Sequence, residues 1–176
     1  MPTRQVLDSS DITRTTKRMA HEILEGTPDV SSLVLLGIPT RGQALSKRLA
    51  DHIFDISGER VDVGSLDVTM YRDDVQSGQM RTPQPSSIPA GGVDGRVVVL
   101  VDDVLFSGRT ARAALDALVD VGRPSAVRLA VLVDRGHREF PIRADYVGKN
   151  IPSQAAERVS VRLHEVDGEE GVVITP

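Results

Sequence analysis

The sequence predicts an α/β fold, a doubly wound and mostly parallel sheet flanked by helices. Three observations predict it. Short β-branched runs alternate along the chain with segments of helical period. One run, Val97-Val98-Val99-Leu100-Val101, is apolar at every position, as suits a central parallel strand covered on both faces. The second and third helical segments each follow a glycine-bearing turn, at Gly37 and Gly42 and at Gly108.

The first helix is expected over residues 11–25, with Ser10 or Asp11 as cap and Gly26 just past its end. At about 100° per residue, Ile12, Thr16, Met19 and Ile23 share one stripe, and Arg14, Lys17, Arg18 and His21 fall opposite. One face packs and the other is basic. A strand at 32–37 leads to a second helix over 42–54, which buries Leu45, Leu49 and Ile53. A strand at 61–70 opens into residues 76–95, rich in proline and glycine, which read as one long loop. Loops of that length are binding lids or insertions without function, and their flanks decide which. Strands at 96–101, 126–133 and 159–163 follow, with a third helix over 108–121 stopped by Gly122 and Pro124, and a possible last strand at 172–175.

At 176 residues the chain suits one compact domain, 1–176, that needs no covalent staple. Cysteine is absent, which excludes disulfide frameworks, thiolate zinc sites and cysteine nucleophiles, and suits a reducing cytosol. The first residues lack an apolar export core, and no run reaches the roughly 18 apolar residues of a membrane span. A soluble, cytoplasmic protein with no membrane role is expected. With a net charge of −4, any nucleic-acid role must rest on a local basic patch.

Ligands of doubly wound sheets sit beyond the carboxyl ends of the strands. After the central run come Asp102, Asp103, Val104, Leu105, Phe106, Ser107, Gly108, Arg109 and Thr110, with a helix beginning inside the string. Amide groups left free at that helix start can face a phosphate, the Ser107 and Thr110 hydroxyls add donors, and Gly108 permits close approach. Adjacent carboxylates repel unless a cation or hydroxyl groups lie between them, as ribose hydroxyls would. The bland alternative is an ordinary helix cap. A second strand-to-helix turn, Gly37-Ile38-Pro39-Thr40-Arg41-Gly42, can offer amides and one guanidinium to an anion, or can simply connect two elements. No G-x-x-x-x-G-K-[ST] loop is present, and His21, His52, His137 and His164 lack metal-ligand spacing.

Residues 98–110, VVLVDDVLFSGRT, resemble the phosphoribosyl pyrophosphate motif of the type I phosphoribosyltransferases. The resemblance implies that fold, with a small hood at about 134–152 and a flexible lid at about 72–95. It also implies that Asp102 and Asp103 bind the ribose hydroxyls, that residues 104–110 cradle the 5′-phosphate, and that Thr40 and Arg41 contact pyrophosphate. Pro39 stands where related sequences often carry a basic residue. Arg72 or Arg81 of the lid would reach the leaving pyrophosphate.

The segments VDVGRPS at 119–125, VLVDRGHR at 131–138 and PIRADYVGKNIP at 141–152 are similar to one subfamily, the PyrR proteins. These are pyrimidine-operon regulators that are also uracil phosphoribosyltransferases. The similarity implies that Arg135, Tyr146 and Val147 lie in a hood over uracil, although Tyr146 is equally readable as a half-buried packing residue. It implies that Arg18 and His21, with Lys17 where a hydroxyl residue is commoner, and Lys149 contact a messenger RNA leader hairpin. The unaided alternative is a solvated basic helix face. Also implied are transfer of uracil to phosphoribosyl pyrophosphate with release of pyrophosphate, Mg²⁺ carried mainly by the substrate, UMP or UTP as sensed ligands, and a homodimer or larger assembly. Asp102, Asp103 and Arg41 would form the catalytic set, supplying position and field. A phosphoribosyltransferase for another base, without an RNA role, is the alternative; control by attenuation or by blocked translation stays open.

Overall fold

A computed structural model of the chain describes residues 2–73 and 85–176. Five strands, β2 (Leu33–Gly37), β3 (Asp62–Ser65), β4 (Val97–Leu105), β5 (Ala126–Asp134) and β6 (Tyr146–Asn150), form a sheet in the order β3-β2-β4-β5-β6. All four pairings are parallel, as the apolar run at β4 requires. Val98, Val99, Leu100 and Val101 are each at most 1% exposed. Burial of such a side chain contributes about 1.5–3 kcal/mol.

Helices α1 (Ser9–Gly26) and α2 (Arg41–Ser57) cover one face, where Ile12, Met19, Ile23, Leu45, Leu49 and Ile53 pack with Leu35, Val99 and Val101. Helix α3 (Arg109–Val119) covers the other, where Ala111, Ala114 and Leu118 pack with Leu36, Leu100 and Val131. The expected stripe of α1 is buried, but the helix starts earlier than its sequence suggests. Asp8 is the cap: its Oδ1 accepts the Asp11 amide at 2.8 Å, and Asp11 Oδ2 accepts the Asp8 amide at 3.0 Å.

Three expectations are corrected. The strand expected at 61–70 ends at Ser65. The Asp67 carboxylate accepts the Thr69 amide and hydroxyl, and the backbone turns into a 3₁₀ segment at Thr69–Tyr71. The acidic pair lies inside β4, not after it, because Asp102 and Val104 continue the ladder with Val131 and Val133. The strands expected at 159–163 and 172–175 leave the main sheet. They become β7 (Arg158–Arg162) and β8 (Gly171–Thr175), joined by the short helix α4 (His164–Asp167). With β1 (Arg4–Leu7) they form an antiparallel sheet in the order β1-β8-β7.

Candidate functional site

The mouth of the main sheet is built by two tight approaches of backbone to backbone. The loop after β2 turns into α2 so closely that a Cβ on Gly42 would lie 2.3 Å from the Val101 carbonyl oxygen. The Ile38 amide donates to that same carbonyl at 2.8 Å, pinning the loop to the end of β4. The Pro39–Thr40 peptide is cis. Gly108, at the head of α3, has φ +92°, a conformation that only glycine adopts without strain. The Arg109 amide accepts no other duty than donating to the Ser107 hydroxyl at 3.2 Å, and the first helical bond runs from the Arg112 amide to the Gly108 carbonyl. The Thr110 and Ala111 amides at the positive end of the helix are therefore left for an outside acceptor among the described residues.

A cavity of about 310 Å³ opens in front of those amides, lined by residues 104–111 together with Arg72, Asp102 and Glu139. Asp103 faces elsewhere. It borders a second cavity of about 480 Å³ with Arg41, Arg158, Ser160, Arg162 and Asp167. Although the two residues border different cavities, their carboxyls meet at the end of β4, where the Asp103 side chain hydrogen-bonds with that of Asp102. A ligand that takes both carboxylates must lie across the strand end. Burial pushes the Asp102 carboxyl well above the usual carboxylate range, and the Asp103 charge adds to the shift. The Arg72 charge acts in the opposite direction.

Arg41 reaches across the second cavity to Asp167 in a two-toothed ion pair, Nη2 to Oδ1 at 2.6 Å and Nε to Oδ2 at 3.2 Å. That bond holds Asp167 below the usual carboxylate range and, with the Asp103 charge, strengthens the protonation of Arg41. The Leu163 amide also donates to Asp167, at 2.8 Å. Thr40 sits half-buried at the start of α2.

The structure thus groups Arg72, Asp102, Val104, Leu105, Phe106, Ser107, Gly108, Arg109 and Thr110 in one cavity and Arg41 with Asp103 in its neighbour. Arg81 lies outside the described residues, as does the middle of the expected lid, 74–84.

Three expected base contacts, Arg135, Tyr146 and Val147, line neither of these two cavities. Tyr146 is 8% exposed and packs in the core at the start of β6, with its hydroxyl 3.4 Å from Arg128. The register pairs Tyr146 with Ala130 and Val147 with Val131, which sets Val147 level with Asp102, one strand beyond the first cavity. Arg135 is buried beneath the Phe106 ring, 4.0 Å from its centroid, and donates to the Gln154 carbonyl at 2.8 Å. Within the segment expected as a hood, 134–152, residues Tyr146–Asn150 form an edge strand of the main sheet. The small antiparallel sheet borders the second cavity through Arg158–Arg162 instead.

Sequence reasoning missed Glu139, Ser160 and Asp167. Asp167 meets a partner 126 residues away, which no local pattern announces.

Lys17, Arg18 and His21 on the outer face of α1, and Lys149 on β6, are all exposed. Arg18 is tied down there: it pairs with Glu22 and donates to the carbonyls of Val147 and Gly148 on β6. Among the described residues no cluster of three or more histidine, aspartate or glutamate side chains is arranged to hold a metal ion. No helix there is long and apolar enough to cross a membrane.

Comparison with known proteins gives concordant results. The family described as "Phosphoribosyl transferase domain" matches residues 2–165. A bifunctional protein PyrR from Leifsonia xyli subsp. xyli is 61% identical over 99% of this chain and 97% of its own length. Proteins of the same name from Corynebacterium glutamicum and Mycobacterium tuberculosis are 57% and 56% identical, over 97% and 98% of this chain and 91% and 93% of theirs. Among solved structures, a hypoxanthine phosphoribosyltransferase mutant from Trypanosoma cruzi, in a ternary substrates complex, superposes with a TM-score of 0.76. It is 22% identical, over 98% of this chain and 94% of that one, which speaks to the fold alone.

Proposed function

The chain belongs to the phosphoribosyltransferase family and, within it, to the bifunctional PyrR proteins, and from that membership we propose how its site works. The protein is a pyrimidine regulator that binds RNA and responds to uridine nucleotides. It also joins uracil to phosphoribosyl pyrophosphate, giving UMP and pyrophosphate. The observation that carries this reading is the open head of α3, where unsatisfied amides and a left-handed Gly108 face a cavity that Asp102 also enters.

In this reading the sugar lies across the end of β4. Its 5′-phosphate occupies the first cavity, on the Thr110 and Ala111 amides, and its hydroxyls meet the adjoining carboxyls of Asp102 and Asp103 at the strand end. The pyrophosphate and uracil occupy the second cavity beside Arg41, under the small sheet, which serves as the hood. The bond from C1′ to pyrophosphate breaks ahead of the bond from C1′ to N1 of uracil, and N1 loses its proton. Charge separates in the transition state, so the task of the chain is placement and field: Arg41 faces the departing anion, Arg72 adds positive charge from the first cavity, and the carboxylates face the electron-poor ribose. A divalent cation fits this donor set as cargo of the substrate, because hard oxygen ligands gather only once the pyrophosphate joins Asp102 or Asp103. Bound there, Mg²⁺ would neutralise the leaving group.

For the regulatory role, the exposed Lys17, Arg18, His21 and Lys149 offer a basic surface on a chain of net negative charge. The partner is a leader hairpin of pyrimidine messenger RNA with unpaired bases. UMP or UTP occupies the catalytic pocket and raises affinity for that RNA, and RNA must raise affinity for the nucleotide by the same factor. A homodimer or larger homo-oligomer would extend the basic surface, and the cytoplasm is the compartment that suits it.

Two measurements test the reading. Pyrophosphate release should require both uracil and Mg²⁺, and a wild-type protein without turnover would count against catalysis. Binding of its own operon leader should tighten with UMP, and equal affinity with and without UMP would remove the sensor.

A further inference from the structure

An anion cradle needs its amides turned inward, and every peptide plane that turns an amide in must turn a carbonyl out. In this chain the outward carbonyls of the phosphate loop are met, one after another, by a single distant segment. The Leu105 carbonyl accepts the Arg135 amide at 3.1 Å. The Phe106 carbonyl accepts Nη1 of Arg138 at 3.0 Å. The Ser107 carbonyl accepts two amides, from Glu139 at 2.8 Å and from Phe140 at 3.0 Å. Behind Gly108, the Cβ atoms of Phe140 and Ile142 would lie 3.5 Å from any added methyl group, so the segment closes off the back of the loop.

Arg138 is the keystone of this arrangement. Its Nη1 holds the phosphate loop, its Nη2 pairs with Asp134 at the end of β5 at 2.5 Å, and its Nε donates to the Ile142 carbonyl at 2.7 Å. The guanidinium is mostly buried, with the side chain 22% exposed. One planar fork therefore fixes the loop, the strand and its own segment together, a task for which the single ammonium of lysine has the wrong geometry. A side chain that touched the ligand would line the first cavity, and Arg138 does not.

We propose that Arg138 is a positioning residue for sugar-phosphate binding, which acts by holding the Phe106 carbonyl outward and so turning the Ser107 amide, which shares that peptide plane, toward the cavity just ahead of α3. The inference rests on the reading of that cavity as the 5′-phosphate site. Without Arg138 the Phe106 peptide is free to rotate, and each rotation takes an amide out of the cradle or exposes a carbonyl to the phosphate.

The test compares wild type with Arg138→Gln and Arg138→Lys, using ribose 5-phosphate and UMP as binding probes and pyrophosphate release as the kinetic readout. Loss of one hydrogen bond to a charged group corresponds to roughly tenfold in affinity. Both variants should raise Kd for ribose 5-phosphate and KM for phosphoribosyl pyrophosphate by about that factor. The uracil KM and kcat should stay within about twofold of wild type, and lysine should fail to rescue. Asp134→Asn, which keeps Arg138 but weakens its anchor, should move the same constants in the same direction by less, and serves if Arg138→Gln does not fold. Wild type that binds neither probe defeats the reading of the cavity. Wild type that binds both, with Kd unchanged in Arg138→Gln or in Asp134→Asn, defeats the positioning role, as does an equal loss for uracil and for the sugar phosphate.

Discussion

At the scale of single residues, Asp102 shows most clearly how stability is traded for function. Its carboxyl is buried beside a second carboxylate and titrates well above the ordinary range, so its ionised form costs stability in the unliganded protein. The favourable condition holds below the pKa of the unfolded chain and is lost as pH climbs through the raised folded value. Asp102→Asn removes that cost. We expect the unliganded variant to melt about 2–4 °C higher at neutral pH, equivalent to ~1 kcal/mol in a chain of this size, with less of the pH dependence of wild type. Its turnover should fall by at least about a hundredfold through loss of the ribose contact. Calorimetric scans from pH 4 to 8 beside a pyrophosphate-release assay check both halves. A second residue-scale expectation concerns the basic face. Arg18 holds β6 through two carbonyls, whereas no such bond ties down Lys17 or His21 among the described residues. Lys17→Ala should weaken leader RNA binding, lower the salt slope by about one and leave melting unchanged. Arg18→Ala should lower melting temperature as well as RNA affinity. Filter binding across a salt series, with thermal scans of both variants, separates the two.

At the scale of elements, the strand-to-helix junctions were the legible part of the chain. The run at β4 has no polar atom to expose and could only be a central strand, and the string after it announced an anion site through residue types alone: acids, hydroxyls and a glycine in sequence. What stayed hidden has physical causes. β6 reads Tyr-Val-Gly-Lys-Asn, an edge strand with a polar end, and its pairing is set up by Asp145, whose carboxylate accepts the Leu129 amide at 2.9 Å. Hydrophobic periodicity carries no trace of that bond. The similarity that offers Tyr146 as a base contact leaves a half-buried packing role equally open, and the register that sinks it into the core is a property of the whole sheet. The small sheet was missed because β1 and β8 lie at opposite ends of the chain, and their pairing leaves no local signature. The junction after β2 yields an element-scale prediction. Gly42→Ala forces a methyl against the Val101 carbonyl, 2.3 Å away, so the first turn of α2 must lift. The cost is about 1–3 kcal/mol, read from the urea midpoint, and KM for phosphoribosyl pyrophosphate should rise with it.

At the scale of the whole molecule, the two sheets share one apolar cluster. Leu7, Val161, Val172 and Ile174 of the small sheet pack with Leu35, Val99 and Val101 of the large one through residues of α1 and α2. The cleft between the sheets is further clasped by Arg41 on Asp167 and by Arg48 on Glu165 and Glu170. Hood and base should therefore melt together in one cooperative transition, and saturating UMP should raise that single transition. At about a hundred times its Kd the added stability is about 2.7 kcal/mol. Two separate transitions, with UMP moving only one, would mean that the sheets are independent units. Everything functional converges on the open amides at the head of α3, and these can be watched directly. In an amide-resolved NMR titration with phosphoribosyl pyrophosphate and Mg²⁺, the Thr110 and Ala111 resonances should show the largest downfield shifts and saturate with the ligand. If those two signals stay in place at saturation while others move, the sugar phosphate binds elsewhere and the account of the site is wrong.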